Sequence, residues 1–191
     1  MNMKNDNLNR CDWVSDDKVC IDYHDNEWGK PQHDERKLFE FILLEGFQAG
    51  LSWKTILKKR ENFREAFDDF DYQKIALYDD KRRAGLKENA GIIRNKLKIA
   101  AATINAKAFI EIQKEFGSFD NYIWGFVNCK PINNKGFKSY KDAPTTTEIS
   151  DKISKDLKKR GFKFVGSTII YAFMQAIGMV NDHSDDCFCK V

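Results

Sequence analysis

Long uncharged hydrophobic runs are missing from this 191-residue chain. No window approaches 18 apolar residues without charge, so a membrane-spanning helix is not expected. The first ten residues, MNMKNDNLNR, lack the apolar core of a signal peptide, and the expected location is the cytoplasm. Proline is scarce, with three residues, and 42% of the chain is hydrophobic, which argues against disordered, collagenous and repeat architectures. Period-2 alternation of apolar and polar residues is absent over any useful length, so strands have no sequence support. The five cysteines are odd in number, which speaks against a disulfide framework and leaves metal binding or inert burial. A net charge of +3 permits a polyanionic partner without requiring one.

What is present fits one helical domain. Fifteen Phe and four Trp supply a well-filled core. Residues 1–9 are polar and expected to fray; residues 10–191 read as one domain, with two helical lobes around a cleft. The segment Cys11 to Pro31 carries Trp13, Tyr23 and Trp28 without a sustained helical period and reads as a folded aromatic arm. Asp34 is a candidate N-cap for a helix running to about Gly46, and Ser52 for one running to about Phe67. Asp71 and Asp79 open two shorter helices, and Leu97, Ala101, Ile104, Ala108 and Ile112 form the longest helical stripe. Phe119, Ile123 and Phe126 mark a further helix, and residues 128–147 are the one long irregular connection, placed by its length near a functional surface. Ile149, Ile153 and Leu157 predict a helix ended by Gly161, and an apolar helix follows from about Ser167 to Ile177. The expected fold class is all-α.

One residue breaks the local rules. Leu38, Phe41 and Ile42 have helical spacing, and Glu45 falls on the same apolar face, close to the helix-stopping Gly46 and Gly50. A carboxylate at a helix C-terminus opposes the helix dipole. It is either a buried salt bridge or a functional group.

The histidines and cysteines gather at the two ends of the chain. Cys11 and His24 lie in the aromatic arm, while His183 and Cys187 are separated by three residues at the other end, close ligand spacing for a tetrahedral Cys2His2 site. Ordinary buried cysteines are the alternative, and Cys189 rivals Cys187 as a ligand. Four protein ligands would close such a site and make it structural. Basic residues come in clumps at Lys58 to Arg60, Lys81 to Arg83, Arg94 with Lys96 and Lys98, and Lys158 to Arg160. Most read as solvated helix faces. The Arg94 clump is more specific, because a helix, a tight turn at Gly91 and a second helix N-terminus offer backbone N–H groups to a phosphate.

Several stretches together resemble one known family. They are Cys11-Asp-Trp13, Tyr23-His-Asp-Asn-Glu-Trp-Gly29, Leu44-Glu-Gly, Gln48-Ala-Gly-Leu-Ser-Trp53, Leu57-Lys-Lys-Arg-Glu61 and Lys159-Arg-Gly-Phe-Lys-Phe-Val-Gly166. Tyr171, Phe173-Met-Gln-Ala176 and Gly178-Met-Val-Asn-Asp-His183 extend the match, which covers roughly residues 10 to 189. The chain resembles the DNA-3-methyladenine glycosylase I family. That resemblance implies a helix-hairpin-helix glycosylase fold whose two ends are tied by one structural zinc ion on Cys11, His24, His183 and Cys187. It implies a monofunctional enzyme that excises 3-methyladenine from alkylated double-stranded DNA in base excision repair, acting as a monomer away from membranes.

The chemistry assigns roles within that expectation. A base methylated at N3 is cationic and a good leaving group, so the enzyme must chiefly flip the nucleotide out and bind it. Trp53 is the first candidate for the stacking platform, with Tyr23, Trp13 and Trp28 as walls, since base stacking is worth about 1–3 kcal/mol. An inward Glu45 would accept from the exocyclic amine and favour its positive charge, the role its counterpart has in the family. Arg94, Lys96 and the Gly91 turn would hold phosphates, and Gln48 and Leu51 are both candidates for the plug that fills the vacated stack. Asp120 is the nearest acid to the position other helix-hairpin-helix glycosylases use, but this family lacks that acid. Cys20 stands where family members often carry tyrosine. Two other classes remain: a non-enzymatic lesion binder on the same scaffold, and a zinc hydrolase, against which the absent deaminase pattern counts.

Overall fold

The structure is a computed structural model that describes residues 8–190. Its central element is α2 (Glu35–Gln48), in which every residue from Leu38 to Phe47 is buried. A helix buried on all faces needs neighbours all round. It has them in α3 (Trp53–Ala66), α6 (Lys96–Phe116), α7 (Phe119–Gly125) and α9 (Ser167–Ala176). The shorter α4 (Tyr72–Ile75) and α5 (Asp80–Glu88) pack on α6, and α8 (Glu148–Lys159) packs on α9. Phenylalanines fill the joins: Phe109 stacks on Phe119 at 4.2 Å, and Phe47 meets Phe63 edge-on at 4.8 Å.

The caps predicted from sequence hold these helices. Asp34 accepts from the Lys37 N–H, Ser52 from Thr55, Asp71 from Gln73 and Lys74, and Asp79 from Arg82. Three expectations need correction. The arm contains a helix, α1 (Lys18–Asn26), which the pattern hides because only Cys20, Tyr23 and His24 are buried on it. The buried face of α6 runs through Ile99, Ala102, Ala106, Phe109 and Ile112, leaving Leu97 at 70% and Ile104 at 41% exposure. The fold is also mostly rather than wholly helical, since Ile132–Asn133 pairs in parallel with Val180–Asn181. A two-residue pairing is too short to print an alternation.

The ends of the described chain are tied together. The expected fraying up to residue 7 lies outside the described residues, but Asn9 does not fray: its side chain donates to Asp186 Oδ2 at 2.7 Å, and its carbonyl accepts from Phe188 N–H at 2.9 Å.

Arg60, read from sequence as part of a solvated clump, is instead the hub of a buried charge network. Its Nε donates to Glu40 at 2.7 Å, and its two terminal nitrogens donate to Glu27 at 2.7 and 2.8 Å. Arg64 and Lys37 also reach Glu40, which is 1% exposed. Burial alone would raise the Glu40 carboxyl, but the Arg60 guanidinium holds it below its ordinary range. Removing one partner of such a pair strands the other charge. Arg60→Leu is therefore expected to cost about 3–5 kcal/mol, read as a melting temperature lower by about 10 °C. The double change with Glu40→Leu should recover most of it, and a single variant melting like wild type would contradict the account.

Candidate base-binding cavity and metal cluster

The chain around Glu45 makes one wall of a cavity of about 630 Å³. Gly46 does not stop α2; it lets Phe164 Cβ pack 3.4 Å from where its own Cβ would sit, and the helix ends two residues later. Gly50, at φ +80°, makes the turn into α3. Glu45 therefore sits in the last turn of a buried helix, 4% exposed. The dipole conflict seen in the sequence is met by Lys98 of α6, which points inward and donates to the carbonyls of Phe47 at 2.8 Å and Ala49 at 2.6 Å. Burial pushes the Glu45 carboxyl up to about 8, and no cation offsets it.

Trp13, Tyr23, Trp28, Gln48 and Trp53 also line the cavity. Their rings run as a chain: Trp28 to Trp13 at 5.1 Å, Trp13 to Tyr23 at 6.3 Å, and Tyr23 to Trp53 at 5.3 Å between centroids. Burial and then the charge of Glu45 push the Tyr23 phenol well up, so it keeps its proton. The indole nitrogen of Trp13 is buried without a hydrogen-bond partner among the described residues. Such groups are rare in a folded protein unless a ligand completes them. The far wall comes from Tyr140, Pro144 and Thr145 of the irregular connection, from Thr168, Tyr171 and Gln175 of α9, and from Asp182. The irregular connection, expected from its length to lie near a functional surface, thus reaches the cavity. Asp12 ties it down, accepting from Ser139 Oγ at 2.7 Å and Tyr140 N–H at 3.0 Å.

Behind the aromatic wall lies a cluster of metal-ligating side chains. Ligand atoms of His24, His183, Cys187 and Cys189 all fall within 4.8 Å of one another. His24 Nδ1 is 2.7 Å from Asp25, and His183 Nδ1 is 2.9 Å from Asn181 Oδ1, which leaves both Nε2 atoms facing the cluster. His183 Nε2 is buried with no partner, and His24 Nε2 is 3.4 Å from Cys187 Sγ. The Cys11 thiol and His24 both hydrogen-bond Cys187 and push its thiol down, so the cluster favours a thiolate. Cys11 is buried and accepts from Ser184 N–H at 3.3 Å, but Cys189, not Cys11, stands within the tight group. The donor set, the orphaned imidazole nitrogen and the oriented histidines fit a tetrahedral zinc ion.

The turn between α5 and α6 is braced from α3. Lys59 Nζ donates to the Ala90 and Gly91 carbonyls at 3.0 and 3.2 Å, and a Cβ on Gly91 would lie 3.1 Å from Asn62. The Gly91 N–H is taken by Asn89 Oδ1 at 2.8 Å, whereas Arg94 and Lys96 are exposed beyond it. Leu51 is exposed on the α2–α3 turn, and its carbonyl accepts from Gln48 Nε2 at 2.7 Å. Asp120 pairs with His33 at 2.8 Å and does not line the cavity, and neither does the buried Cys20.

The methyladenine glycosylase family profile matches residues 13–190. The chain belongs to that family. It is 52% identical over 181 residues to DNA-3-methyladenine glycosylase of Haemophilus influenzae, covering 95% of this chain and 97% of that protein. It is 50% identical over 182 residues to DNA-3-methyladenine glycosylase 1 of Escherichia coli, with the same coverage of both. A solved structure of a Tyr-to-Phe variant of 3-methyladenine DNA glycosylase I in complex with 3-methyladenine superposes with a TM-score of 0.92 at 35% identity, covering 96% of this chain and 98% of that one.

Proposed function

We propose that the cavity receives 3-methyladenine flipped out of alkylated double-stranded DNA, and that the protein hydrolyses its N-glycosidic bond in base excision repair. The observation that carries this is Glu45: a buried carboxylate without a partner, facing a cavity walled by aromatic rings, in a family whose members act on this lesion. The lesion's positive charge and exocyclic amine are what such a site lacks. Trp53 and Tyr23 stack on the ring, Trp13 and Trp28 close the wall behind it, and Glu45 accepts from the amine. Because the methylated base leaves readily, the residues need only hold it and favour the developing positive charge on the sugar while water attacks. No lyase chemistry is expected.

The α5–turn–α6 unit serves as the helix-hairpin-helix grip. Arg94 and Lys96 meet phosphates, and the Gly91 turn keeps them in place, since phosphate contacts position the duplex without reading sequence. Of the two plug candidates the exposed Leu51 suits the vacated stack, with Gln48 bracing it from the cavity side. One zinc ion is held by His24, His183 and Cys187, with Cys11 as the fourth ligand and Cys189 as its rival. It closes the site and holds the aromatic arm against the C-terminal segment, supplying no step of the reaction. Among the described residues no helix is long and apolar enough to cross a membrane. The enzyme is expected to act as a monomer in the cytoplasm.

Incubation with methylated duplex DNA should release free 3-methyladenine and leave abasic sites that stay unnicked until base is added. A protein that retains the lesion in DNA without freeing the base would be a damage binder instead, and the reading would fail.

A further inference from the structure

Three carboxylates among the described residues are buried to 4% exposure or less, on the central helix or at the cavity, and they are treated differently. Glu40 is matched by Arg60, Arg64 and Lys37. Glu45 has no hydrogen-bond or ion-pair partner among the described residues. Asp182, 3% exposed and lining the cavity, is held by neutral groups: Oδ2 accepts from the Tyr171 hydroxyl at 2.6 Å and Gln175 Nε2 at 2.8 Å, and Oδ1 accepts from Asn134 Nδ2 at 2.7 Å. No lysine, arginine or histidine among the described residues forms an ion pair with it. The Tyr171 hydroxyl and the Gln175 and Asn134 amides all act as donors, so both carboxylate oxygens are acceptors and no cation shares them.

The two ways of holding a buried anion have different consequences. A cation cancels the charge outside the pair, whereas neutral donors stabilise the carboxylate and leave its net charge to act on whatever enters the cavity. Lys141, the one cation among the described residues of the cavity wall, is exposed and screened by water.

We propose that Asp182 is a specificity-determining residue, a fixed negative charge through which the cavity favours a cationic base over a neutral one of the same shape. The inference rests on the proposed binding of 3-methyladenine and divides labour within it. Glu45 meets the exocyclic amine directly, a group that undamaged adenine also carries, and Asp182 adds a second, uncancelled charge that answers the cation, which only the methylated base carries while bonded to its sugar. At an effective dielectric near 20, a unit charge within about 10 Å changes affinity roughly tenfold.

Two probes separate charge from shape: 3,9-dimethyladeninium, a permanent cation whose N9 methyl stands for the sugar, and neutral 9-methyladenine. Their binding to the metal-loaded protein can be followed by tryptophan fluorescence, since Trp13 and Trp53 line the cavity. Asp182→Asn is expected to weaken the cation roughly tenfold and to leave the neutral probe within about twofold, so the ratio of the two collapses. Gln175→Lys keeps Asp182 and sets an ammonium beside it; the ratio should fall again, and this variant carries the test if the asparagine variant does not fold. Zinc content, measured in each, must match wild type, because His183 adjoins Asp182. An unchanged ratio, including equal weakening of both probes, overturns the proposal and leaves Asp182 a structural acceptor. Failure of wild type to release 3-methyladenine from DNA would instead overturn the functional reading beneath it.

Discussion

Glu45→Gln is expected to reduce release of 3-methyladenine by about 100-fold at pH 8–9 while making the protein more stable than wild type at that pH. The activity estimate is that of losing one charge-assisted contact to a positive centre in a water-excluded site. The stability effect follows from linkage. Glu45 carries a folded-state value of about 8 against an ordinary 4.5, so folding takes up a proton between those values. Its contribution is most favourable below pH 4.5 and is lost as pH rises through about 8. At about 1.4 kcal/mol per unit the loss over these 3.5 units is about 5 kcal/mol by pH 9. Glutamine has no such slope. Melting wild type and variant side by side from pH 4 to pH 9 should show curves that diverge as pH increases, with the variant on top.

The same titration shapes the activity. In the free enzyme the carboxylate forms only as pH approaches about 8, so kcat/KM should rise toward that pH and flatten above it. A bound cationic base favours the ionised form, so kcat should level at a lower pH than kcat/KM does. The deficit of Glu45→Gln should accordingly shrink toward pH 6. Equal deficits at pH 6 and pH 9 would remove the ionised carboxylate from the mechanism.

Much of this was legible in the sequence because the signals were local. Asp34, Ser52, Asp71 and Asp79 mark helix starts through their own side chains, and each caps the helix predicted for it. Glu45 stood out because a carboxylate inside an apolar run breaks a rule that needs no partner to be seen. What escaped depended on distant partners. Arg60 reads as a member of a solvated basic clump and Lys98 as part of the phosphate-facing Arg94 clump, since a lysine that caps a helix 49 residues away has the same neighbours in sequence as one facing outward. Helix α1 buries only three side chains, too few for a periodic stripe, yet adjacent positions on it aim Tyr23 at the cavity and His24 at the metal cluster. Asp182 was visible only as one letter of a motif. Its donors lie on α9 and on the irregular connection, which come together through tertiary packing alone.

Removing the metal is expected to lower the melting temperature by about 10 °C or more, the largest effect on stability anticipated for any single treatment. The cluster is where the aromatic arm, α1 and the C-terminal segment converge, and its ligands are poor partners for one another without a cation: a buried imidazole nitrogen with no donor and thiols that share protons. The consequence reaches the cavity through ring contacts. Trp28 lies 4.5 Å from the His183 ring, and Trp13 lies 5.5 Å from the His24 ring, so loosening the histidines loosens two walls. Chelation should therefore weaken binding of the free base as well as stability, without changing the pH at which activity rises, because an ion closed in by four protein ligands would take no part in the step Glu45 governs. Protein purified without added metal should carry one zinc per chain. Cys11→Ser should lose it and Cys189→Ser should keep it; the opposite result would give the fourth position to Cys189, which already stands in the tight group. A chain that purifies without zinc and melts unchanged in chelator would leave the two ends held by Asn9 on Asp186, Arg10 over the Phe188 ring, and their neighbours alone.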